Sequence, residues 1–293
     1  MQLFNGLDSI VKKDAPVGKY TWYGLGGNAE YLIRPDNHEQ LAEVAQICTE
    51  NSIPIHVLGL GSNVLISDAG VKGAVIKLDS AAFSDVSYKG DRVLAGSGAS
   101  LNEVVLNCVR EGLSGLECVT GIPGSVGGAV RMNAGGKFGD IGTSIVSLKL
   151  MDDLGSIYVK SKPDIEFDYR SSNITEPFIL EAEFKLFKSD PDRVMKATQE
   201  IWIYKKNIQP VTGRTAGCVF KNPSVDTAGS LIDRAGLKGL KAGTAQVSEK
   251  HGNFIIADKD TKSSDIIELI EIIQQKVQQE FDVELELEIE IWT

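Results

Sequence analysis

The sequence predicts an α+β protein with two successive α/β units, followed by further strands, a long helix and a C-terminal strand. Two segments, beginning near residues 41 and 101, repeat apolar residues at helical spacing, and each lies beside a glycine-rich turn and short strand-like runs. A third segment at 264–281 has the same helical spacing. The chain then ends on a strict alternation of apolar and acidic residues, which is typical of a half-buried strand.

The first α/β unit begins with a helix at 38–51, where Leu41, Val44, Ala45 and Cys48 share one face. A short strand is predicted at 53–58 and another at 64–66. The second unit has a strand at 92–95, a glycine turn at 96–98 and a helix whose apolar face comprises Leu101, Val104, Val105 and Cys108.

The rest of the chain contains predicted strands at 144–151, 156–159 and 178–187 and a helix at 191–206. The helix at 264–281 is predicted to start at Ser264 as its N-cap. Its buried face comprises Ile266, Leu269, Ile270, Ile273 and Val277. The final strand is predicted at 283–291, with four glutamates on its outer face.

A glycine-rich run at 121–135 has two interpretations. Glycine admits positive φ and close approach to the main chain, so the run could present N–H groups to a phosphate or cofactor. It could equally be a tight, irregular connection between strands. No glycine turn has the Gly-x-Gly-x-x-Gly spacing with a later acidic residue, so a Rossmann dinucleotide site is not supported. A phosphate-bearing cofactor held by several separate turns stays possible.

The composition limits the classes of function. The chain has 30 Lys and Arg residues against 40 Asp and Glu, a formal charge of −10, which disfavours binding to nucleic acid or anionic membranes. Residues 205–241 nevertheless contain seven basic residues and two acids. This basic window is either an ordinary solvated surface or a local site for a small anionic ligand.

Targeting and metal signals are weak. The first residues lack the pattern of a signal peptide and no run reaches membrane-spanning length, so we expect a cytoplasmic protein without membrane insertion. Four separated cysteines argue against a disulfide scaffold or zinc site, and most are expected to be buried. The three histidines (His38, His56 and His251) are isolated from one another in sequence, which argues against a histidine-based metal site.

Several short motifs occur in a recognisable order. They are Gly-Leu-Gly-Ser-Asn at 59–63, Gly-Ile-Pro-Gly-Ser-Val-Gly-Gly at 121–128, Met-Asn-Ala-Gly at 132–135, Phe-Asp-Tyr-Arg at 167–170, Ala-Gly-Cys-Val-Phe-Lys-Asn-Pro at 216–223, Ala-Gly-Ser-Leu-Ile-Asp at 228–233 and Ser-Glu-Lys-His-Gly-Asn-Phe at 248–254. From about residue 21 to 291 the chain resembles the UDP-N-acetylenolpyruvoylglucosamine reductase (MurB) family.

This resemblance implies a fold and a reaction. The implied fold is a two-subdomain FAD-binding fold of the vanillyl-alcohol-oxidase (PCMH) type plus a C-terminal α+β substrate-binding domain. The expected domains are 1–78, 79–208 and 209–293, and the last strand could return to the FAD domain. NADPH would reduce FAD, and hydride would then pass to the enolpyruvyl ether of UDP-N-acetylglucosamine. We expect a monomer without a nucleic-acid partner.

The resemblance also implies three catalytic residues. Hydride addition to the vinyl group leaves an enolate, which needs a cation and a proton donor. Arg170 suits the first role because guanidinium stays charged and can hold a carboxylate. Glu288 matches the family's C-terminal acid and is singled out only by the resemblance. Cys218 stands where the best-known members have a proton-donating serine, and an ordinary thiol is protonated at neutral pH.

The implied binding residues form two sets. Those expected to bind the cofactor are Gly59, Gly61, Ser62, Asn63, Gly121, Ile122, Pro123, Gly124, Ser125, Gly127, Gly128, Asn133, Ala134 and Gly135. Those expected to bind the substrate are Tyr169, Lys206, Gln209, Lys221, Asn222 and His251, with Arg214 as a weaker candidate. Only 36 positions separate Arg170 from Lys206, so the chain resembles the shorter subtype without a tyrosine-bearing insertion.

Some positions depart from the family pattern. Gly24 replaces a common arginine, Asn28 a usual proline and Ala257 a common asparagine, and residues 136–138 are altered. These departures leave the affinity for FAD open. Two alternatives stay open as well: another oxidoreductase of the same flavin fold, and a non-catalytic module that binds flavin or a nucleotide sugar.

Overall fold

The computed structural model describes residues 3–293, which form two compact units. The first unit consists of residues up to Lys13, Tyr31–Leu60 and Gly73–Tyr204. The second consists of Asp14–Glu30, Gly61–Lys72 and Lys205–Thr293. Each unit is therefore assembled from segments that are distant in sequence.

The chain contains both helices and strands, including long runs of strands. The helices are α1 (His38–Glu50), α2 (Ala81–Ser84), α3 (Leu101–Arg110), α4 (Val126–Arg131), α5 (Pro191–Ile208), α6 (Ala228–Arg234) and α7 (Ser263–Phe281). The strands are β1 (Val11–Pro16), β2 (Asn28–Ile33), β3 (Ile55–Val57), β4 (Val64–Ile66), β5 (Val71–Ile76), β6 (Val86–Lys89), β7 (Arg92–Gly96), β8 (Leu113–Ser114), β9 (Gly135–Gly136), β10 (Gly139–Asp140), β11 (Ile145–Met151), β12 (Ile157–Ser161), β13 (Phe167–Asp168), β14 (Ser171–Ser172), β15 (Phe178–Lys185), β16 (Phe187–Lys188), β17 (Lys241–Ala242), β18 (Ala245–Val247), β19 (Ile255–Ile256) and β20 (Glu290–Trp292).

The main sheet of the first unit has five antiparallel strands in the order β12-β11-β15-β7-β6. Its central strand β15 alternates burial along Phe178–Lys185, and α3 and α4 cover it with Leu101, Val105 and Val130. This core is apolar throughout, which is the main source of stability for such a layer. A second cluster in this unit packs α1 through Leu41, Val44, Ala45 and Cys48, as the helical spacing predicts.

A four-stranded sheet has the order β1-β2-β5-β3, with β3 parallel to β5. The strand β4, although it follows β3 after a short glycine turn, pairs instead with β20. The glycine turn at 59–63 therefore connects strands of two different sheets.

The core of the second unit is built mainly on α7. Ile266, Leu269, Ile270, Ile273 and Val277 are all buried, which confirms the predicted face of this helix. They pack with α6 and with the small sheet β17-β18-β19.

The start of α7 differs from the prediction. The helix begins at Ser263, with Lys262 as N-cap, so Ser264 is inside the first turn rather than at the cap. The carboxylate of Asp68 accepts the N–H groups of Ser263 at 2.9 Å and Ser264 at 3.1 Å. A group 195 positions away in sequence thus satisfies the donors that a local cap would normally bind.

The C-terminal strand is shorter than predicted. Burial does alternate over 283–291, with Leu285 and Ile289 buried and Glu284, Glu286 and Glu290 exposed. Only Glu290–Trp292 forms ladder hydrogen bonds, however, and it does so in parallel with β4. The residues before it make one isolated bridge, between Phe220 and Leu287. The apolar–acidic alternation over 283–291 predicted the buried face correctly, but it did not predict how few of these residues pair with another strand.

The remaining predicted elements are confirmed with shifted ends. The helix expected at 191–206 is α5 and ends at Ile208, and the strand expected at 178–187 is divided into β15 and β16. Cys48 and Cys108 are buried, whereas Cys118 and Cys218 are half-buried. Among residues 3–293, no helix combines the length and apolarity needed to cross a membrane.

Candidate active site

Three glycine turns of the first unit meet around one cavity of about 100 Å³. Gly59 belongs to the turn after β3, Gly98 to the turn after β7, and Gly127 and Gly128 to the start of α4. The sequence separates these turns by up to 69 positions. The cavity is therefore a composite of turns, as the sequence predicted, rather than a single glycine loop.

Buried hydrogen bonds hold the first two turns in place. The Leu58 N–H donates to the Ile76 carbonyl at 2.8 Å, and Lys77 Nζ donates to the Gly59 carbonyl at 3.0 Å. Burial of Lys77 lowers the pKa of its ammonium group below the ordinary value. The Gly98 N–H donates to the Phe83 carbonyl at 2.8 Å.

Neighbouring atoms explain why glycine is required at three of these positions. A Cβ on Gly98 would collide with the carbonyl oxygen of Leu78, and one on Gly59 would collide with Ser125 Oγ. A Cβ on Gly127 would lie 2.7 Å from the Cβ of Ser97. Gly128 differs, because its Cβ would meet only Ser125 Oγ, at 3.4 Å.

The wall of the cavity has polar groups that suit an anionic ligand. Ser97 is buried, and no described residue offers its Oγ a hydrogen-bond partner. Arg131 also lines the cavity, with its guanidinium donating to the carbonyls of Ile174, Glu176 and Pro177. Burial lowers the pKa of Arg131 below its ordinary value, which still leaves a guanidinium charged at neutral pH. A glycine cradle with a hydroxyl and a cation fits a phosphate-bearing group.

The other residues of the glycine-rich run lie in varied surroundings. Gly121 and Gly124 have φ of 70° and 144°, and Ile122 packs against the apolar core. Ala134 is buried and Gly135 forms β9. None of these five is among the residues that line the cavity described above. Their predicted contact with a cofactor stays a prediction.

Asn133 uses its side chain within the protein. Its Nδ2 donates to the carbonyl of Asp168 at 3.0 Å, and its Oδ1 accepts the N–H of Gly142 at 3.1 Å. The residue is buried and has a φ of 45°, a conformation that asparagine tolerates better than most residues.

Arg170 lies at the tip of a two-residue hairpin. Strands β13 and β14 pair Phe167 with Ser172 and Asp168 with Ser171, which leaves Tyr169 and Arg170 as the turn. The backbone of Arg170 is left-handed, with a φ of 54°. Its guanidinium carbon lies 5.4 Å from the centre of the Tyr169 ring. The tight turn presents the guanidinium group from a fixed backbone.

The other two predicted catalytic residues belong to the second unit. Cys218 is half-buried and makes an isolated bridge with Phe254. The carbonyl of the next residue, Val219, accepts the N–H of Glu288 at 2.8 Å. The segments that contain Cys218 and Glu288 are therefore neighbours joined through their main chains.

Asn253 and Asn63 fix these two segments from either side. Asn253 accepts the Phe220 N–H at 2.9 Å and donates to the Phe220 carbonyl at 2.7 Å. Asn63 Nδ2 donates to the carbonyl of Glu288 at 2.9 Å, and the Asn63 carbonyl accepts the N–H of Glu290 at 2.9 Å. The turn that contains Gly61, Ser62 and Asn63 thus belongs to the second unit, whereas Gly59 belongs to the first.

The predicted substrate residues of the second unit differ in their exposure and in the contacts that they make. Lys206 is exposed, and its carbonyl accepts Lys250 Nζ at 2.6 Å. Lys221 Nζ lies 3.3 Å from the carboxylate of Glu286. The Asn222 Oδ1 accepts the N–H of Ala228 at the start of α6. Gln209 is half-buried just after α5.

His251 is held as a neutral imidazole. Its Nδ1 accepts the N–H of Asn253 at 3.2 Å, so the ring proton is on Nε2. Burial lowers the pKa of His251, and the nearby Lys238 lowers it further. Gly229 allows this packing, since a Cβ there would lie 3.0 Å from the ring. The Nε2–H is therefore a donor rather than part of a cation at neutral pH.

The departures from the family pattern also have structural counterparts. A Cβ on Gly24 would lie 3.8 Å from the guanidinium of Arg214. Asn28 Nδ2 donates to the carbonyl and the carboxylate of Asp14, at 3.1 and 2.9 Å. In the first unit, Phe138 packs edge-on against Tyr204 with ring centres 5.3 Å apart.

Sequence reasoning missed three residues that shape these sites. Ser97 and Arg131 line the cavity, and Asn253 clamps the segment after Cys218. A lone serine or arginine has no distinctive spacing. Asn253 could have been noticed, because it belongs to the motif at 248–254.

Comparisons with known proteins agree on one family. A model described as FAD binding domain matches residues 29–160, and one described as UDP-N-acetylenolpyruvoylglucosamine reductase, C-terminal domain, matches residues 209–292. The reductase of that name from Clostridium botulinum strain Hall is 40% identical over 280 residues, which cover 95% of this chain and 91% of that protein. The one from Bacillus velezensis is 36% identical over 284 residues, covering 96% and 93%.

Solved structures give the same result. The UDP-N-acetylenolpyruvylglucosamine reductase (MurB) of Thermus caldophilus superposes with a TM-score of 0.84 at 36% identity, covering 97% of this chain and 99% of that one. Phl p 4.0202, a glucose dehydrogenase, has a TM-score of 0.50 at 16% identity over 64% of this chain and 44% of its own. The second likeness shows only a shared fold of the PCMH type.

Proposed function

Because this chain belongs to the UDP-N-acetylenolpyruvoylglucosamine reductase family, we propose that it reduces the enolpyruvyl ether of UDP-N-acetylglucosamine to UDP-N-acetylmuramate. The reaction belongs to the synthesis of peptidoglycan precursors. FAD is the bound cofactor and NADPH the source of electrons. The chemistry that bound FAD supplies is hydride transfer, from NADPH to the flavin and from the flavin to the substrate's terminal vinyl carbon.

One structural observation supports this function most directly. Three separate glycine turns meet at a cavity whose lining residues include Ser97, with its unpaired hydroxyl, and Arg131. Such a cradle suits the diphosphate of a dinucleotide, and the absence of a Gly-x-Gly-x-x-Gly turn fits a composite site. We propose that Gly59, Gly98, Gly127 and Gly128 form the surface against which FAD binds.

The remaining cofactor residues are proposed on the resemblance. Ser125 supports this assignment, because its Oγ accepts the Gly128 N–H at 3.3 Å and so orders the glycines beside the cavity. We propose that Asn133 supports cofactor binding indirectly, by holding the main chain of its segment in place. The other residues proposed to contact FAD are Gly61, Ser62, Asn63, Gly121, Ile122, Pro123, Gly124, Ala134 and Gly135.

Three residues of this chain would manage charge and proton during the reaction. Hydride addition leaves an enolate that is conjugated with the substrate carboxylate, and Arg170 would stabilise it through a charged, planar donor group. Cys218 would give its thiol proton to the carbon next to the carboxylate. Glu288, joined by its main chain to the residue after Cys218, would hold or orient the proton at that position.

Basic and polar side chains would recognise the UDP part of the substrate. Lys206 and Lys221 are proposed to contact the diphosphate, since both belong to the basic window. Asn222 and the Nε2–H of His251 would donate or accept hydrogen bonds without adding charge. Tyr169 and Gln209 are further candidates, the first because it is exposed beside Arg170.

We also propose the division into two FAD-binding subdomains, 1–78 and 79–208, and a substrate domain, 209–293. The five-stranded sheet lies within the second of these ranges, and the sheet β17-β18-β19 within the third. A cytoplasmic monomer remains the proposed state.

An anaerobic reoxidation experiment tests the function. The purified protein is examined for a flavin spectrum, reduced with NADPH without oxygen, and then mixed with the enolpyruvyl substrate. We expect rapid return of the oxidised flavin spectrum and formation of the lactyl ether product.

The alternatives give different results in the same experiment. An oxidoreductase of the same fold that uses another substrate would be reduced but would not be reoxidised by the enolpyruvyl ether. A non-catalytic binding module would bind flavin or UDP-sugar without NADPH oxidation and would tolerate Arg170→Ala. Either result would contradict the proposed reductase.

A further inference from the structure

We propose that the hydroxyl group of Ser97 is a cofactor-binding group that donates a hydrogen bond to the diphosphate of the dinucleotide. This inference rests on the proposed use of FAD and adds a residue that neither the motifs nor the comparisons assign. It starts from an unmatched hydrogen-bonding group in the interior of the first unit.

The first observation is that the main chain of Ser97 is hydrogen-bonded, whereas its side-chain hydroxyl has no partner among the described residues. Its N–H donates to the Leu180 carbonyl at 2.9 Å, and its carbonyl accepts the Gly127 N–H at 2.8 Å. The residue is 5% exposed, and its Oγ is buried with no donor or acceptor in range among residues 3–293. An unpaired buried hydroxyl costs stability, so native proteins retain few of them without a reason.

The second observation is the position of this hydroxyl-bearing side chain. Ser97 lines the same cavity as Gly59, Gly98 and Gly128. Its two main-chain hydrogen bonds fix the backbone there, and Gly127 packs directly against its Cβ. The side chain is therefore ordered before any ligand arrives, which reduces the entropy lost on binding.

The charge on the cavity wall favours an anionic acceptor. Arg131 donates to three neutral carbonyls, so these contacts leave its positive charge in place. The nearest acid that influences Arg131 is Glu176, whose own carboxylate is paired with Lys160 Nζ at 2.7 Å. A cavity lined by both a serine and an arginine suits an anionic oxygen, which accepts stronger hydrogen bonds than a neutral one.

The size of the cavity indicates which part of the cofactor it would hold. A volume of about 100 Å³ is below that of pockets that enclose whole drug-sized ligands. A compact group such as a diphosphate suits this space better than the three-ring isoalloxazine. We therefore assign Ser97 to the diphosphate and not to the flavin ring.

The test compares ligand affinity with the stability of the apoprotein. FAD is removed, and the dissociation constants of FAD and of ADP are measured for the wild-type protein and for Ser97→Ala by flavin fluorescence and by competition. We expect both ligands to bind about tenfold or more weakly to the variant. The unfolding temperature of the apo variant should be equal to or higher than that of the wild-type apoprotein, because an unpaired buried hydroxyl has been removed.

Ser144→Ala is the matched control. Ser144 is also buried in the first unit, but its Oγ donates to the Gly115 carbonyl at 2.9 Å, and it does not line the cavity. Its variant should lower the unfolding temperature of the apoprotein and leave the affinities for FAD and ADP unchanged, the reverse of Ser97→Ala.

Each other outcome overturns the assignment. An unchanged FAD affinity in Ser97→Ala would show that the hydroxyl makes no contact with the cofactor. Weaker FAD binding with unchanged ADP affinity would move the contact away from the diphosphate. If the wild-type protein itself bound no FAD, the proposed function would fail as well, so the two failures are distinguishable.

Discussion

The side-chain amide of Asn133 donates to the main-chain carbonyl of Asp168 at 3.0 Å. Asn133 lies near the end of the glycine-rich run at 121–135, which includes the cavity residues Gly127 and Gly128, and Asp168 directly precedes the turn formed by Tyr169 and Arg170. The same side chain also accepts the N–H of Gly142. One buried asparagine therefore links the proposed cofactor segment to the hairpin that presents the proposed catalytic arginine.

This link predicts a selective effect of Asn133→Asp on catalysis. The substitution keeps an acceptor for Gly142 but places a carboxylate oxygen against the Asp168 carbonyl. We expect the free energy of unfolding to fall by about 1–3 kcal/mol. We also expect the reoxidation of reduced flavin by the enolpyruvyl substrate to slow about tenfold or more, with flavin reduction by NADPH less affected. Stopped-flow measurement of each half-reaction checks this.

Asn173→Asp is the control for that prediction. Asn173 makes the same two kinds of main-chain hydrogen bond, to Glu166 and Asp164, beyond the other end of the hairpin, but it is exposed. Its variant should change both half-reactions little. Equal slowing in the two variants would mean that hairpin stability alone, and not the position of Arg170, is responsible.

Gly128→Leu should separate cofactor binding from folding. A Cβ there would meet only Ser125 Oγ, at 3.4 Å, and Gly128 lines the cavity. Glycine is also a poor helix former inside α4, so the apoprotein should unfold at an equal or higher temperature. FAD should bind about tenfold or more weakly, because its place is filled. Titration of the apoprotein with FAD measures this directly.

Gly136 is the control for that test, and Gly124 shows why Gly128 is the better position. Gly136→Leu adds the same side chain at an exposed glycine where a Cβ would have no neighbour within 4 Å, and it should leave FAD affinity unchanged. Gly124 is a less suitable position, because its φ of 144° would strain any other residue. Normal FAD binding by Gly128→Leu would contradict the proposed cradle.

Cys218→Ala should leave the reduction of flavin by NADPH within about twofold of wild type but slow substrate reduction by about 10²–10⁴-fold, the usual contribution of a positioned proton donor. Cys218→Ser should restore much of the lost rate, since a hydroxyl can donate the proton. Cys118→Ala is the control, because Cys118 is also half-buried but belongs to the first unit. Full turnover by Cys218→Ala would remove this thiol from the mechanism.

Because the Asp68 carboxylate binds the first N–H groups of α7, we expect acid to destabilise the start of this helix. Burial alone would raise the pKa of Asp68, but hydrogen bonds from Ser263 and Ser264 outweigh it and hold the pKa below its ordinary value. Its stabilising effect is therefore complete above the unfolded value and is lost as the pH falls through the lower folded value. Asp68→Asn should cost about 1 kcal/mol near neutral pH, a modest amount because the side chain is exposed.

Urea unfolding at pH 7 and at pH 3 checks the prediction for Asp68. The difference in stability between wild type and Asp68→Asn should shrink at the lower pH. Asp260→Asn removes the same charge from an exposed residue shortly before α7 and should show no such pattern. A constant difference at both pH values would mean that the carboxylate charge is not what stabilises the helix.

The sequence predicted those features of the fold that are set by residues close together in the chain. The buried faces of α1, α3 and α7 follow from apolar spacing, because a helix face is set by nearby residues. The start of α7 could not be predicted in this way, since its first N–H groups bind the distant Asp68. The partner of β20 is likewise a strand more than two hundred residues earlier, and alternation carries no information about partners.

At the candidate site, too, the sequence predicted local features but not tertiary contacts. Glycine content identified the turns, but only the structure shows that Gly59, Gly98 and Gly127 line the same cavity. Arg170 was singled out by a motif, whereas the main-chain hydrogen bond from Asn133 to its hairpin depends on tertiary structure. Ser97 had no sequence signal at all, because a hydroxyl becomes informative only when its surroundings leave it unpaired.

The pairing of β20 with β4 has a consequence for the order of synthesis on the ribosome. Glu290–Trp292 is synthesised some 220 residues after β4, which is its only ladder partner among the described residues. At typical elongation rates of about 5–20 residues per second, β4 must wait for roughly ten seconds or longer. Deletion of Glu290–Trp292 would leave this edge open, a place where nascent chains could associate.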